Sequence, residues 1–329
     1  MNFPLSTSEK ARKATTLVSS LQSKFVNILT EVSDDQGSFE KVEWLRDEGK
    51  HGGGERMVAP SGGFFDRASI NVSHVHYDDV PTKKLASASA LSSIVHPNNP
   101  HLPSIHIHFS WTEMRDGSGY WRMMADLNPS IPNEASTALF EESLKSHSGE
   151  HFSTGKEQGE TYFFIPALNR HRGVSHFYLE GFDSGDFEKD YALAENLAGK
   201  VMETYSEILK QSSTANPDYS EADKQTQIDY HTLYLYQVLT LDKGTTAGLL
   251  THNQNDLGTL GSLPSTINSE LLKSWVQQTP EPLNDLTANL AGVFEGSSNA
   301  SVNDDQKMEC IKVLREFYAV HRDLLTFQN

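Results

Sequence analysis

The stretch HLPSIHIHFSWTE, residues 101–113, gathers side chains that could hold a metal ion or move a proton. In an extended chain successive side chains alternate, so His106 and His108 share a face. Two imidazoles on one face, with His96 and His101 before them and Glu113 after, are donors of the type that bind a mononuclear metal. A metal-dependent oxygenase using His106, His108 and Glu113 is one reading. The other is that the strand's histidines face a polar cavity or solvent.

Other segments supply acids and bases at the ends of apparent strands. ADLNP places Asp126 before a Pro-containing turn. RHRG packs bases ahead of a strand. LDKGT sets Asp242 beside Lys243. HGGGERM is glycine-rich, but no Lys-Ser/Thr follows it and no G-x-G-x-x-G opens a helix, so a phosphate cradle is not indicated. There is no G-x-S-x-G, and the sole cysteine, Cys310, sits in a helical stripe, so nucleophile-triad chemistry has no support.

The elements that must position these groups are readable from periodicity. Ser6 and Glu9 look like a capping box, and apolar residues from Ala14 to Leu29 recur at helical spacing to about residue 32. Residues 52–63 read as a glycine-rich loop and hairpin. Residues 86–95, 104–111, 119–127 and 174–180 read as strands. Helical patterns cover 134–147 and 186–210, a surface loop 212–224, and a helix 303–325. The tyrosine- and leucine-rich run 228–242 and the segment GTTAGLL read as further strands. Strands in runs and helices in blocks predict an α+β fold, a large antiparallel sheet with helices, in one domain spanning 1–329.

Bulk composition narrows the partners. With 44 acidic against 27 basic residues, the formal net charge of −17 disfavours nucleic acid and anionic membranes. No apolar run is long enough for a membrane span. One cysteine excludes an internal disulfide framework, and no secretory signal is visible, so a reducing, cytoplasmic setting is expected.

Taken in order, GGGERMVAPSGGFFDRASINVSHV, SSIVHPNNPHLPSIHIHF, YWRMMADLNP, YFFIPALNRHRGVSHFYLE, LDKGTTAGLL and GSLPS resemble the oxygen-dependent coproporphyrinogen III oxidase family, from about residue 40 to 266. HPNNPHLPSIH is the most specific piece. The resemblance implies a large, rather flat antiparallel sheet with helices on both faces, and a homodimer. It implies oxidative decarboxylation of the ring A and B propionates of coproporphyrinogen III to vinyl groups. The product is protoporphyrinogen IX, dioxygen is the co-substrate and leaves as peroxide, and no cofactor is required.

Family positions carry over singly. His106 matches the catalytic histidine and Asp126 the carboxylate that faces the pyrrole N–H groups. Arg172 and Asp242 match two further site residues, and Ser92 a substrate-contacting serine. Asn71, His108, Ser110, Lys243 and Gln254 join these as substrate-binding candidates, with Arg56 and Arg67 as further bases for the propionates. The chain departs from the family at His108 and Ser110, where the family keeps Asn and Arg, and at Lys243, where it keeps Arg. A loosely aligned Gly-Gly-Arg turn is HNQ, 252–254, here. Some members are assigned a four-histidine manganese site. Two of those positions are His96 and His106 here, but the others are Glu141 and Ala167, so no metal is expected. A porphyrin-binding protein that has lost catalysis is the alternative from a different functional class.

Overall fold

The computed structural model describes residues 3–34, 38–59 and 61–324. Residue 60 of the expected hairpin and residue 325 of the expected last helix lie outside this set. The chain divides into two compact units. One runs to Tyr162 and resumes over Gly173–Tyr219. The other comprises Phe163–Arg172 and the chain from Ser220 onward.

The first unit opens with helix α1 (Glu9–Val32). Strands β1 (Glu40–Leu45), β2 (Gly52–Ala59), β3 (Phe65–His76), β4 (Leu85–Pro97), β5 (Ser104–Met114) and β6 (Gly119–Asn128) follow. Then come α2 (Glu134–Ser148) and α3 (Phe152–Phe163), whose last residue begins the second unit. That unit's first piece holds the two-residue strands β7 (Phe164–Ile165) and β8 (Arg170–His171). The chain returns to the first unit as β9 (Val174–Phe182) and α4 (Phe187–Ala215). The seven strands pair in the order β1-β2-β3-β4-β5-β6-β9, every neighbour antiparallel. The expected α+β class with a large antiparallel sheet is therefore present.

One sheet face is apolar, and α1, α2 and α4 cover it. Leu17, Leu21 and Phe25 of α1 and Leu197, Val201 and Tyr205 of α4 pack against Ile70, Leu91, Ile107, Phe109 and Met123. Alternation of apolar and polar residues in the strands produces this one-sided burial. Surface ion pairs such as Lys24–Glu203 at 2.7 Å also link α1 to α4, but being exposed they add little.

A buried polar latch fixes α1 on the sheet. His74 Nε2 accepts from the Ser6 backbone N–H at 3.0 Å. Its Nδ1 lies 2.9 Å from both Thr15 Oγ1 and Ser89 Oγ. Because Nε2 accepts, Nδ1 carries the ring proton. Ser6 thus serves this latch instead of capping the helix. The N-cap is Ser8, which accepts from Ala11 N–H at 3.3 Å.

The glycine-rich segment is not a loop. Gly52 to Ala59 is a strand paired on both sides, and β1 before it was not evident in the sequence. A Cβ at Gly54 would stand 2.3 Å from Val72 O and 2.5 Å from Trp44 Nε1, so glycine lets the indole lie flat over the strand. Between β5 and β6 the chain reverses through Asp116-Gly117. Asp116 Oδ1 accepts from Ser118 N–H at 3.0 Å and Gly117 takes φ +88°, which closes the hairpin.

The second unit corrects the largest misreading. Residues 228–242 belong to α5 (Glu221–Thr240), and GTTAGLL to α6 (Lys243–Thr251). The unit continues with α7 (Asp256–Thr259), β10 (Thr266–Asn268), α8 (Ser269–Ser274), α9 (Leu283–Val293), β11 (Asn299–Ser301) and α10 (Asp304–Val320). In α5 every residue from His231 to Thr240 is buried, so no polar stripe marks a helical period. Its tyrosines and β-branched residues then mimic a strand. The start was legible, because Ser220 and Asp223 form a reciprocal capping box. The expected loop 212–224 shrinks accordingly, with α4 running to Ala215.

The latch makes stability pH-dependent. Burial, reinforced by neighbouring His76, pushes His74 down to about 4. An unfolded histidine binds its proton near pH 6.5. The contribution is therefore complete above pH 6.5 and drains away as pH falls toward 4, by up to about 3 kcal/mol. Urea unfolding at pH 7 and pH 4.5 should show this loss, and His74→Gln should flatten the difference.

Candidate active site

The face opposite α1 carries the polar residues singled out by sequence. Ile105, Ile107, Phe109 and Trp111 of β5 point into the apolar core, so His106, His108 and Ser110 point the other way. Cross-strand register extends this sorting into rows. Arg56, Asn71, Ser92, His108 and Met124 form one row across β2 to β6. Ile94, His106 and Asp126 form the next. Ser110 stands opposite Arg122 in the row on the other side. Arg67 stands opposite His96.

The centre of this face is an anchored carboxylate. Asp126 is 0% exposed and His106 is 9% exposed. His106 Nδ1 lies 2.9 Å from Asp126 Oδ1. Asn128 Nδ2 donates to Asp126 Oδ2 at 2.6 Å. An ionised carboxylate only accepts, so His106 donates to it through Nδ1, which leaves Nε2 as the nitrogen that faces a ligand chemically. Such a group can take a proton from a ligand while Asp126 stabilises the imidazolium that results.

Gly173 of the RHRG motif closes in on the same carboxylate. Its φ is +74°, and a Cβ there would meet Leu127 O at 2.8 Å and Asp126 Oδ2 at 3.1 Å. Only glycine fits this left-handed backbone so close to the site.

The histidines do not assemble a metal centre with Glu113. That residue has odd parity and faces the α1 side, where Ser8 Oγ donates to its Oε2 at 2.6 Å. His106 and His108 lie on the opposite face, so the three side chains are separated by the sheet. His96 is 0% exposed, with Nδ1 2.8 Å from Ser104 Oγ. Glu141 bonds Lys156, and Ala167 lies in the second unit. Among the described residues no three His, Cys, Asp or Glu side chains converge as an ion would require.

The remaining candidates belong to the second unit. Arg172 is 1% exposed, and its Nη1 donates to Gln237 Oε1 at 2.8 Å. Its guanidinium lies between the rings of Phe163 and Tyr234, 4.4 and 4.6 Å from their centroids. There it organises α5 by stacking and hydrogen bonding, roles that a lysine could not fill. Asp242 caps α6, accepting from Thr245 N–H at 2.6 Å, and Lys243 is the first residue of that helix. Gln254 lies in the turn between α6 and α7.

Sequence reasoning missed Asn128, Gly173 and Arg122. A usable signal existed for two of them. Two-residue steps along β6 from Asp126 reach Asn128 in one direction and Arg122 in the other, all on one face.

An α+β protein whose sheet offers a polar platform around a buried histidine–carboxylate pair is thereby defined. The family model described as Coproporphyrinogen III oxidase matches residues 13–289. The oxygen-dependent coproporphyrinogen-III oxidase of Drosophila melanogaster is 28% identical over 290 residues, 80% of this chain and 73% of that protein. The mitochondrial oxygen-dependent enzymes of Rattus norvegicus and Homo sapiens are each 27% identical over 80% of this chain. The chain spans 64% and 63% of their respective lengths. The chain belongs to the coproporphyrinogen III oxidase family.

Gly173→Ala tests how tightly the carboxylate is enclosed. The variant is expected to lose at least about 1 kcal/mol of stability, from the left-handed backbone and the collision with Leu127 O. Urea denaturation measures the loss, and Gly181→Ala, also at positive φ but in open space, isolates the backbone component.

Proposed function

We propose that the protein is an oxygen-dependent coproporphyrinogen III oxidase. It converts the ring A and B propionates of coproporphyrinogen III to vinyl groups and yields protoporphyrinogen IX. For each arm, R–CH2CH2–COOH and O2 give R–CH=CH2, CO2 and H2O2, so the substrate loses two electrons that dioxygen accepts. The observation that carries this reading is the buried Asp126, held by His106 and Asn128 on the polar sheet face of a chain from this family.

The roles follow from the chemistry of those groups. A porphyrinogen presents four pyrrole N–H donors at its centre. An ionised, water-shielded carboxylate that accepts them draws the protons away and enriches the ring in electrons, which favours reaction with O2. His106, through Nε2, is the proton carrier beside it. Arg56 and Arg67 lie on the same face and supply cations for the propionates. Local positive charge of this kind lets a chain of net charge −17 take an anionic substrate. By family position, Arg172, Asp242, Lys243 and Gln254 are proposed as further site residues.

The proposal includes catalysis without a metal or organic cofactor, with homodimers in the cytoplasm. The rat and human relatives are mitochondrial by name, so cell fractionation decides the compartment. No helix among the described residues is long and apolar enough to cross a membrane.

The test is an aerobic assay of purified protein on coproporphyrinogen III prepared under anaerobic conditions. Product is read as protoporphyrin fluorescence after oxidation, with oxygen uptake followed in parallel and metal content measured on the active sample. Asp126→Asn is expected to lower turnover by about 100-fold or more while porphyrin binding persists. Wild-type protein that binds coproporphyrin yet forms no product would instead mark a porphyrin-binding protein.

A further inference from the structure

The two substitutions at positions 108 and 110 meet each other in space. His108 Nε2 lies 3.0 Å from Ser110 Oγ. The hydroxyl at 110 is therefore engaged along its own strand, where the resemblance places an arginine. Directly across the β5–β6 ladder from Ser110 stands Arg122, on the same face. Residues opposed in this way have Cβ atoms about 4.5–5.5 Å apart. An arginine stem is long enough to bring its guanidinium over the neighbouring position.

Arg122 is half-buried and lies over the Tyr120 ring, 4.9 Å from its centroid. Burial works against its charge, but Tyr120, Tyr178 and Glu180 around it more than offset this and raise its pKa. Yet among the described residues it forms no ion pair with a carboxylate within 4.0 Å. A guanidinium held on an aromatic face with no carboxylate in direct contact is a ready site for an incoming one. Its distance from Asp126 also suits a tetrapyrrole. Four residues of strand set the two positions roughly 13 Å apart, the scale from a macrocycle's centre to the end of one carboxylate arm plus the reach of the arginine.

We propose that Arg122 anchors one carboxylate of the substrate, and that the cation expected on β5 at position 110 has been transposed one strand to β6. His108 and Ser110 form the floor of the subsite and hold each other in place of the longer side chain. The subsite rests on the oxidase reading for the identity of its ligand, a tetracarboxylate porphyrinogen. Its geometry is specific to this chain.

The probe is coproporphyrin III, the stable oxidised tetracarboxylate, titrated by fluorescence against wild type and variants of matched melting temperature. Arg122→Met keeps the apolar stem over Tyr120 and removes the charge; Arg122→Gln keeps polarity. Each is expected to weaken binding about 10- to 100-fold, the loss typical of a charge-assisted hydrogen bond. The double variant Ser110→Arg/Arg122→Met is expected to recover at least about tenfold of that loss, which a merely structural role for Arg122 would not allow. Weakening of less than about threefold in the single variants, or no recovery in the double, would overturn the subsite. Wild-type protein that binds no coproporphyrin would sink the oxidase reading along with it, whereas binding that ignores Arg122 sinks the subsite alone.

Discussion

A carboxylate with no exposed surface is costly unless other groups satisfy it, and Asp126 sets that constraint for the first unit. Oδ1 needs His106, which fixes β5 against β6 in register. Oδ2 needs Asn128, two residues along the same strand. The backbone beside it must approach so closely that position 173 has to be glycine. The first two requirements are met by strands of the sheet and the third by the turn leading into β9, and the sheet itself is stabilised through its other face, by α1, α2 and α4. The molecule thus separates two tasks that conflict in one place. Apolar burial holds the platform, and polar burial on the far side gathers the candidate site.

This division explains the fate of each sequence motif. The histidines do not close on Glu113, because the step of two that brings His106 and His108 together sends Glu113 through the sheet. The alternation is readable in HIHFSWTE, and carried on to residue 113 it already puts Glu113 on the face opposite the histidines. The strands around the site were legible because each has one polar and one apolar face. The glycine strand β2 was not, since its side chains are missing where Trp44 lies across it. The α5 helix was misread for the opposite reason: it is dry on every side over its last ten residues, and periodicity needs a contrast to be visible.

The candidate site was legible where residue type and parity agree. Ser92, His106, His108, Ser110, Asn71 and Asp126 share one face, and their motif order led to them. Asn128, Gly173 and Arg122 are defined by what stands beside them across a ladder or a turn, which a linear reading does not contain. Arg172 and Asp242 were picked as chemistry-bearing residues at strand ends. One proves to be stacked between two rings and the other caps a helix, so their charge also organises local structure.

The hairpin turn at Asp116-Gly117 has a reach beyond its own four residues. The histidine and its carboxylate sit on the two arms of this single hairpin, about 30 Å of extended chain from the tip. Their meeting depends on counting residues from that tip. A slip of one position would send one arm's entire polar set to the dry face and part the pair completely. The geometry of the candidate site is therefore written into a surface reversal ten residues away along each arm. Lengthening or shortening that loop by a single residue changes not a loop but the parity of the polar face.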